Sequence, residues 1–344
     1  MAELHSICVL RLSAVGDVCH TLAVVQAIQR QYPKAEITWI IGKLEANLLA
    51  NIPDVKLIPY DKKSGWKGIV TLWGKLQTKQ FDVLLNLQTA FRASFISLGI
   101  KAKRKIGFNR ERAREGQWLF TNEKVEQATS PHVLDGQMMF AKAIGVQDLI
   151  PQWNLPISED DLAYSAQFID KTRKNLLIAP CSSKQSKDWP PENYAEIIRF
   201  ATSYDLNVII CGSPSGYEIE TANKIQNLAS NCSNVAGKTT LTQLAGLIKQ
   251  VDLVISSDSG PAHIATTQNT PVIGLYAIHN HRRTGPYNDL GNIISVYDEV
   301  IWEQYGKSWQ DLPWATRAKG ENLMNKITVE QVEQKILEIL AITL

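Results

Sequence analysis

The sequence predicts an α/β protein of two domains, each organised around a parallel sheet. Three observations carry this. Strand-length runs of Val, Ile and Leu recur along the chain with helically spaced apolar residues between them, and strands that alternate with helices pack as parallel sheets. The alternation pauses once, from about 143 to 174, where IPQWNLPISEDD gathers prolines, polar residues and acids as a connecting segment does. Each half then opens alike, with a strand that runs into a polar loop, RLSAVGD in the first and IAPCSSKQSKDWP in the second. A chain of 344 residues, against roughly 100–200 per domain, divides accordingly into domains at 1–160 and 161–325 and a terminal segment, 326–344.

In chain order, the predicted strands of the first half are Ile7–Leu12, Ile37–Ile41 and Val83–Leu87. Those of the second are Leu176–Ala179, Val208–Cys211, Leu253–Ser256 and Val272–Leu275. Between them, Val18, Leu22, Val25 and Ile28 keep three-to-four spacing, as do Leu241, Leu244, Leu247 and Ile248, which marks one apolar face of a helix. The terminal segment places Thr328 and Gln331 at capping-box spacing. Behind them, Val329, Val332, Ile336, Ile339 and Leu340 fall on one helical face. Ligands of open α/β sheets bind beyond the carboxyl ends of the strands, so the two polar loops are expected to face one cleft.

Composition narrows the class. Hydrophobic residues make up 44% and charged residues 20%, with a formal net charge of +2, ordinary for a globular protein and too mild to imply nucleic acid as a partner. The longest apolar runs, such as Val83–Leu87 and Val251–Ile255, fall far short of the ~20 residues of a membrane-spanning helix. The opening MAELHSICVL has neither a basic region nor an apolar core of export-signal type, which predicts a cytoplasmic protein. Cys8, Cys19, Cys181, Cys211 and Cys232 lack CxxC spacing and read as reduced thiols, with no zinc site.

Several loops have the composition of a ligand site. VISSDSGPAHIA, Val254 to Ala265, reads as a buried strand, a tight loop and a helix with Pro261 in its first turn. Asp258 or Ser259 serves as the cap. The amides of Gly260, Ala262 and His263 then lie at the positive end of the helix dipole, where a phosphate binds. CSSKQSKDWPPENY adds the hydroxyls of Ser182 and Ser183 and the ammonium groups of Lys184 and Lys187 at another strand end. CGSPSGYEIE ends on Glu218 and Glu220, and an acid so placed accepts from ribose hydroxyls.

Two tempting motifs fail. VAGKTTLTQL has the tail of a phosphate-binding P-loop, but Cys232 stands where its leading glycine belongs, so Thr240 reads as the N-cap of the next helix. Ser13-Ala14-Val15-Gly16 offers one glycine where a dinucleotide fingerprint needs three. Asp17 occupies that helix start instead and would repel a pyrophosphate. Its two readings are a plain cap and a base for an incoming hydroxyl.

LRLSAVGDVCHTL, KDWPPENY, the Gly-Lys-Thr segment before a helix and DLVISSDSGPAHIA, in that order across both halves, resemble glycosyltransferase family 9, the heptosyltransferases of lipopolysaccharide synthesis. Within the family the chain is most similar to members that add the first heptose to Kdo of the inner core. The resemblance implies the GT-B architecture, two Rossmann-like domains facing a central cleft, with the last helix packing back on the N-terminal domain. It implies ADP-L-glycero-D-manno-heptose as donor, Kdo-lipid A as acceptor, and neither cofactor nor metal; no Asp-x-Asp pair occurs.

On that resemblance, the donor is held by Ser182, Ser183, Lys187, Glu218, Asp258, Ser259, Gly260, Ala262 and His263. Lys187 takes the place of the phosphate-binding lysine, Glu218 that of the ribose-binding acid, and Asp258 heads the diphosphate loop. Asp17 becomes the general base of an inverting displacement. Ser13, Gly16, His20, Gln88 and Arg92 are assigned to the acceptor. KAKRKIGFNRERAR carries seven basic residues against Glu111, and its Lys103, Arg104 and Lys105 are expected to meet acceptor carboxylates and phosphates or an anionic inner leaflet, making the enzyme peripheral. Competing readings are transfer to a heptose acceptor, a nucleotide-dependent oxidoreductase and a non-catalytic sugar-nucleotide binder.

Overall fold

The computed structural model describes residues 3–342. The chain divides into two compact units, Met1–Pro156 and Ile157–Leu344. The first begins with β1 (Ser6–Leu10), α1 (Val15–Gln31), β2 (Glu36–Gly42), α2 (Lys43–Leu48) and β3 (Val55–Tyr60). It continues through α3 (Gly65–Leu76), β4 (Phe81–Asn86), α4 (Phe91–Leu98), β5 (Ala102–Gly107), β6 (Glu123–Lys124) and α5 (Val133–Ala143).

Its six strands pair in the order β3-β2-β1-β4-β5-β6, all parallel, with Cys8 of β1 opposite Thr38 of β2 and Leu84 of β4. The central strands are buried on both faces, which is why β1 and β4 are almost continuously apolar. β3 carries Pro59, a residue without an amide donor, and accordingly lies at the sheet edge.

The second unit repeats the plan. After α6 (Glu159–Ala166) come β7 (Asn175–Ala179), α7 (Pro191–Ser203), β8 (Asn207–Ile210), α8 (Gly216–Leu228), β9 (Ser233–Asn234) and α9 (Leu241–Gln250). There follow β10 (Leu253–Ser257), α10 (Gly260–Gln268), β11 (Val272–Tyr276), α11 (His281–Thr284), β12 (Ile293–Ser295), α12 (Tyr297–Tyr305) and α13 (Val329–Leu340). The order β12-β11-β10-β7-β8-β9 is the same doubly wound topology read from the other edge. In each sheet the order therefore reverses beside the first strand of the unit, between β1 and β4 and between β7 and β10, and ligands of such sheets bind at that switch point.

The terminal helix corrects one expectation. It was to pack back on the N-terminal domain; α13 instead belongs to the second unit, where Val332 and Ile336 are fully buried in one core with residues of α7, β10 and β11. Its approach is fixed there as well, because the Trp189 indole N–H donates to the Ile327 carbonyl at 3.0 Å and Ile327 is itself fully buried. The predicted capping box of Thr328 and Gln331 is formed. Residues 343 and 344 of the 326–344 segment lie outside the described residues, as do residues 1 and 2. No helix among the described residues is long and apolar enough to cross a membrane.

Candidate active site

At the first switch point, β1 ends in a loop stapled on both sides. The Gly42 amide donates to the Leu12 carbonyl at 2.9 Å, while Gln88 Oε1, just past β4, accepts from the amides of Leu12 (2.9 Å) and Ser13 (3.2 Å). Gln88 is fixed in turn by Gln117, whose Nε2 donates to its carbonyl at 3.2 Å. The loop delivers Asp17 to the first turn of α1, where its carboxylate accepts from the Ala14 amide at 3.3 Å and pairs with the Arg11 guanidinium. Arg11 is buried and also donates to the Leu87 carbonyl, whereas the Asp17 side chain keeps 33% exposure. The carboxylate is thus held in one orientation beyond a strand's carboxyl end and stays partly open to solvent.

Ser13, Gly16, Gln88 and Arg92 gather on this same rim. Arg92 opens α4 and is exposed, with Nη1 donating to the Lys62 carbonyl at 3.0 Å. His20 does not join them. It is 4% exposed and packs edge-on against the His132 ring at 5.3 Å, because its position on α1 turns inward.

Lys103, Arg104 and Lys105 are also corrected. They lie on β5, and strand register places Arg104 level with Val83 and Ile7, at the amino end of the sheet and away from Asp17. Their heads are engaged there: Lys103 with Asp82 (2.8 Å), Arg104 with both oxygens of Glu123 (2.8 and 2.7 Å), and Lys105 with the Ser97 carbonyl (2.9 Å). Burial also pushes the Lys105 ammonium below its ordinary pKa.

The second switch point brings β7 and β10 together. Buried Lys187 donates from Nζ to the Asp258 carbonyl at 2.5 Å and to its carboxylate at 3.2 Å. The same Oδ2 lies 2.5 Å from His279 Nδ1, beyond the end of β11. Burial alone would raise the Asp258 pKa, but His279 and Lys187 hold it well below the usual carboxylate range. The loop is thus a buried anion bracketed by two basic groups at the foot of α10. Ser259 is the N-cap of that helix in extended geometry and makes no side-chain cap bond, its hydroxyl pairing with Ser256 instead at 3.0 Å. First-turn amides have no intrahelical acceptor, so those of Gly260 and Ala262 present donors and the helix's positive end together.

Ser182 and Ser183 follow β7. The Ser182 amide donates to Asp188 at 2.7 Å, and Tyr217 holds the other oxygen of that carboxylate at 2.8 Å; burial raises the Asp188 pKa. Glu218 sits in the first turn of α8, its carboxylate accepting from the Ser213 amide (2.7 Å) and hydroxyl (2.5 Å). His263 is buried within α10. Trp189 is a core residue, 1% exposed, with its indole N–H donating to the Ile327 carbonyl. The Gly-Lys-Thr segment is not a phosphate cradle, since Thr240 caps α9 in a capping box with Gln243.

Sequence reasoning missed Arg11, Asp188 and His279. The signal for Arg11 and His279 was available, since Arg11 directly follows β1 and His279 lies three residues past the end of β11, both at the carboxyl ends of apolar strands. Asp188 carried no such signal, because the Tyr217 hydroxyl that holds it comes from 29 residues away. Among the described residues, no group of three or more His, Cys, Asp or Glu side chains is gathered as a metal site would be.

The model of glycosyltransferase family 9 (heptosyltransferase) matches residues 69–307. The chain is 60% identical over 328 residues to the lipopolysaccharide core heptosyltransferase OpsX of Haemophilus influenzae, across 95% of this chain and 94% of that protein. Among solved structures it is similar to the family 9 glycosyl transferase of Veillonella parvula, at TM-score 0.81 and 21% identity over 99% of both chains. It is similar also to the heptosyltransferase WaaC of E. coli with ADP, at TM-score 0.73 and 20% identity over 97% of this chain and 99% of that one. The structural likeness shows the GT-B fold.

Proposed function

The chain belongs to glycosyltransferase family 9 and is a heptosyltransferase of lipopolysaccharide core synthesis, and from that premise we propose the partners and chemistry of its two switch points. The donor is ADP-L-glycero-D-manno-heptose, bound by the second unit, and the acceptor is a Kdo hydroxyl of Kdo-lipid A, bound by the first. The observation that carries this reading is the split of charge between the units. The second has Lys187, His279 and the uncapped start of α10 around Asp258, and the first presents the partly exposed carboxylate of Asp17, paired with Arg11.

The reaction is a single displacement. The acceptor oxygen attacks the anomeric carbon of heptose, the bond from that carbon to the diphosphate breaks, and its electron pair leaves with ADP. The proton passes to Asp17, and the anomeric configuration inverts. Arg11 orients the Asp17 carboxylate, and general-base action of this kind is worth roughly 10²–10⁴-fold in rate. Charge growing on the departing diphosphate is met by the Lys187 ammonium and the amides of Gly260 and Ala262, donors fixed before the reaction begins. Ser182, Ser183 and Ser259 supply hydroxyls around it. Glu218 receives the ribose, exchanging its bonds to Ser213 for the two sugar hydroxyls. The charge assigned to the leaving group comes from the protein, so the reading requires no metal.

Such an acceptor is lipid-borne, which puts the enzyme in the cytoplasm at the inner face of a membrane. The test is mass spectrometry of the product formed from ADP-heptose and Kdo-lipid A, with and without EDTA. One added heptose on Kdo, insensitive to EDTA, supports the reading. No product, or product only on a heptose-bearing acceptor, refutes it.

A further inference from the structure

The first unit exposes a band of large apolar side chains well away from Lys103 and Arg104. Trp66 is 57% exposed, Val70 48%, Phe91 54%, Trp118 52% and Leu119 75%. The rings are continuous: Phe120 meets Phe91 at 5.9 Å, Phe91 meets Phe95 at 6.4 Å, and Phe95 meets Trp66 at 5.2 Å and Trp73 at 5.6 Å. Scattered exposed apolar residues are normal, but a connected aromatic band marks a surface that meets something.

Position and charge identify what it meets. α3 and α4 start just beyond the carboxyl ends of β3 and β4, and the turn 117–119 follows β5, so the band shares the rim on which Asp17 sits. Along α3 the side chains form three stripes by helical spacing. Ile69, Leu72 and Leu76 are buried; Trp66, Val70 and half-buried Trp73 form the next stripe; Lys67 and Lys75 lie beyond it, exposed. From 62 to 76 the sequence holds no acid; Lys62 pairs with Glu45 at 2.9 Å, while Lys63, Lys67 and Lys75 are exposed, as are Arg92, Arg110 and Arg114 beside Glu111 and Glu115 on the neighbouring segments. Tryptophan beside apolar residues, rimmed by lysine and arginine, is the composition that settles at the headgroup level of an anionic bilayer.

We propose that α3, the start of α4 and the 117–119 turn form a docking surface for an anionic lipid bilayer, holding the Asp17 rim at the membrane that carries the acceptor. The choice of a bilayer over a protein partner rests on the lipid-borne acceptor proposed above and on this charge pattern. It moves the membrane contact from the Lys103–Lys105 cluster, whose Lys103 and Arg104 are ion-paired towards the other end of the sheet, to an apolar band flanked by exposed lysines and arginines.

The test is co-sedimentation of the full-length protein with phosphatidylcholine vesicles with and without phosphatidylglycerol. These vesicles contain no sugar acceptor, so the readout is independent of transfer. The wild type should bind the anionic vesicles and raise Trp fluorescence at shorter wavelength. Trp66→Ser with Leu119→Ser should weaken binding at least about tenfold, and Lys63→Gln with Lys67→Gln and Lys75→Gln should remove the preference for anionic lipid. Circular dichroism and the melting temperature check that the variants stay folded, and turnover on detergent-dispersed acceptor should be retained. Wild-type protein that ignores anionic vesicles overturns the proposal. So do variants that bind as wild type does, or a solution dimer that the same substitutions disrupt, since a second copy would then be the occupant. Absence of turnover in the wild type would sink the assigned reaction and leave the vesicle result standing.

Discussion

Replacing Lys187 by methionine tests the electrostatics of the proposed donor loop. Lys187 and Asp258 are both buried, and their charged atoms lie 3.2 Å apart. At an effective dielectric constant of ~20, two unit charges at that separation attract by about 5 kcal/mol. Part of that is offset because methionine no longer has to desolvate an ammonium, and His279 still faces the carboxylate at 2.5 Å. Removing one partner of a buried pair nevertheless leaves charge uncompensated, which costs about 3–5 kcal/mol. For a unit the size of Ile157–Leu344, each kcal/mol moves the melting temperature by roughly 2–4 °C. The expected fall is thus about 6–20 °C, read by calorimetry as the transition of the second unit. Asp258→Asn added to Lys187→Met removes the stranded charge and should recover at least half of the loss. A single variant melting within about 2 °C of the wild type, or a double variant no better than the single, would refute the claim that the pair is held as charges.

Three further outcomes are expected. Ile336→Ala opens a cavity where α13 meets the second sheet and should destabilise that unit by about 2–5 kcal/mol, measured by urea titration; a loss below about 1 kcal/mol would mean that the helix is not part of its core. A Cβ at Gly42 would press on the Leu12 carbonyl and the Glu45 carboxylate, so Gly42→Ala should cost about 1–3 kcal/mol and lower turnover by displacing the loop before Asp17, with wild-type kinetics the contrary result. Burial, followed by the charge of Arg282, lowers the His281 pKa from 6.5 to about 4. The unfolded chain then takes up that proton first on acidification, so stability should fall as pH drops from about 6.5 towards 4. His281→Asn should flatten that part of the stability profile, and an unchanged slope would assign it to other groups.

The central strands were legible because burial on both faces writes itself as unbroken apolar runs; β1, β4, β7 and β10 all lie within a residue or two of the expected positions. β3 and β5 were not. Pro59 interrupts one, and the other, AKRKIG, spends its side chains on Asp82, Glu123 and Ser97 instead of a core. Reading the run as a basic cluster, with no strand in it, is what misplaced Lys103, Arg104 and Lys105. The turn at Ser259, Gly260 and Pro261 was legible because it joins a strand end to a helix start, a local pattern. The partners of Asp258 were only half legible, since Lys187 and His279 reach it from 71 and 21 residues away, and such distances are settled by topology. The final helix shows the same limit: its apolar stripe announces a surface to be covered without saying which sheet supplies it.

In the proposed division of labour the first unit's carboxylate takes the proton and the second unit holds the donor. Asp17→Asn tests it most directly, with ADP-heptose affinity measured by calorimetry and heptose transfer by single-turnover kinetics on the same preparation. The account predicts a dissociation constant within about twofold of the wild type and a transfer rate lower by about 10²–10⁴. Transfer at near wild-type rate, or a loss of donor binding equal to the loss of rate, would contradict it.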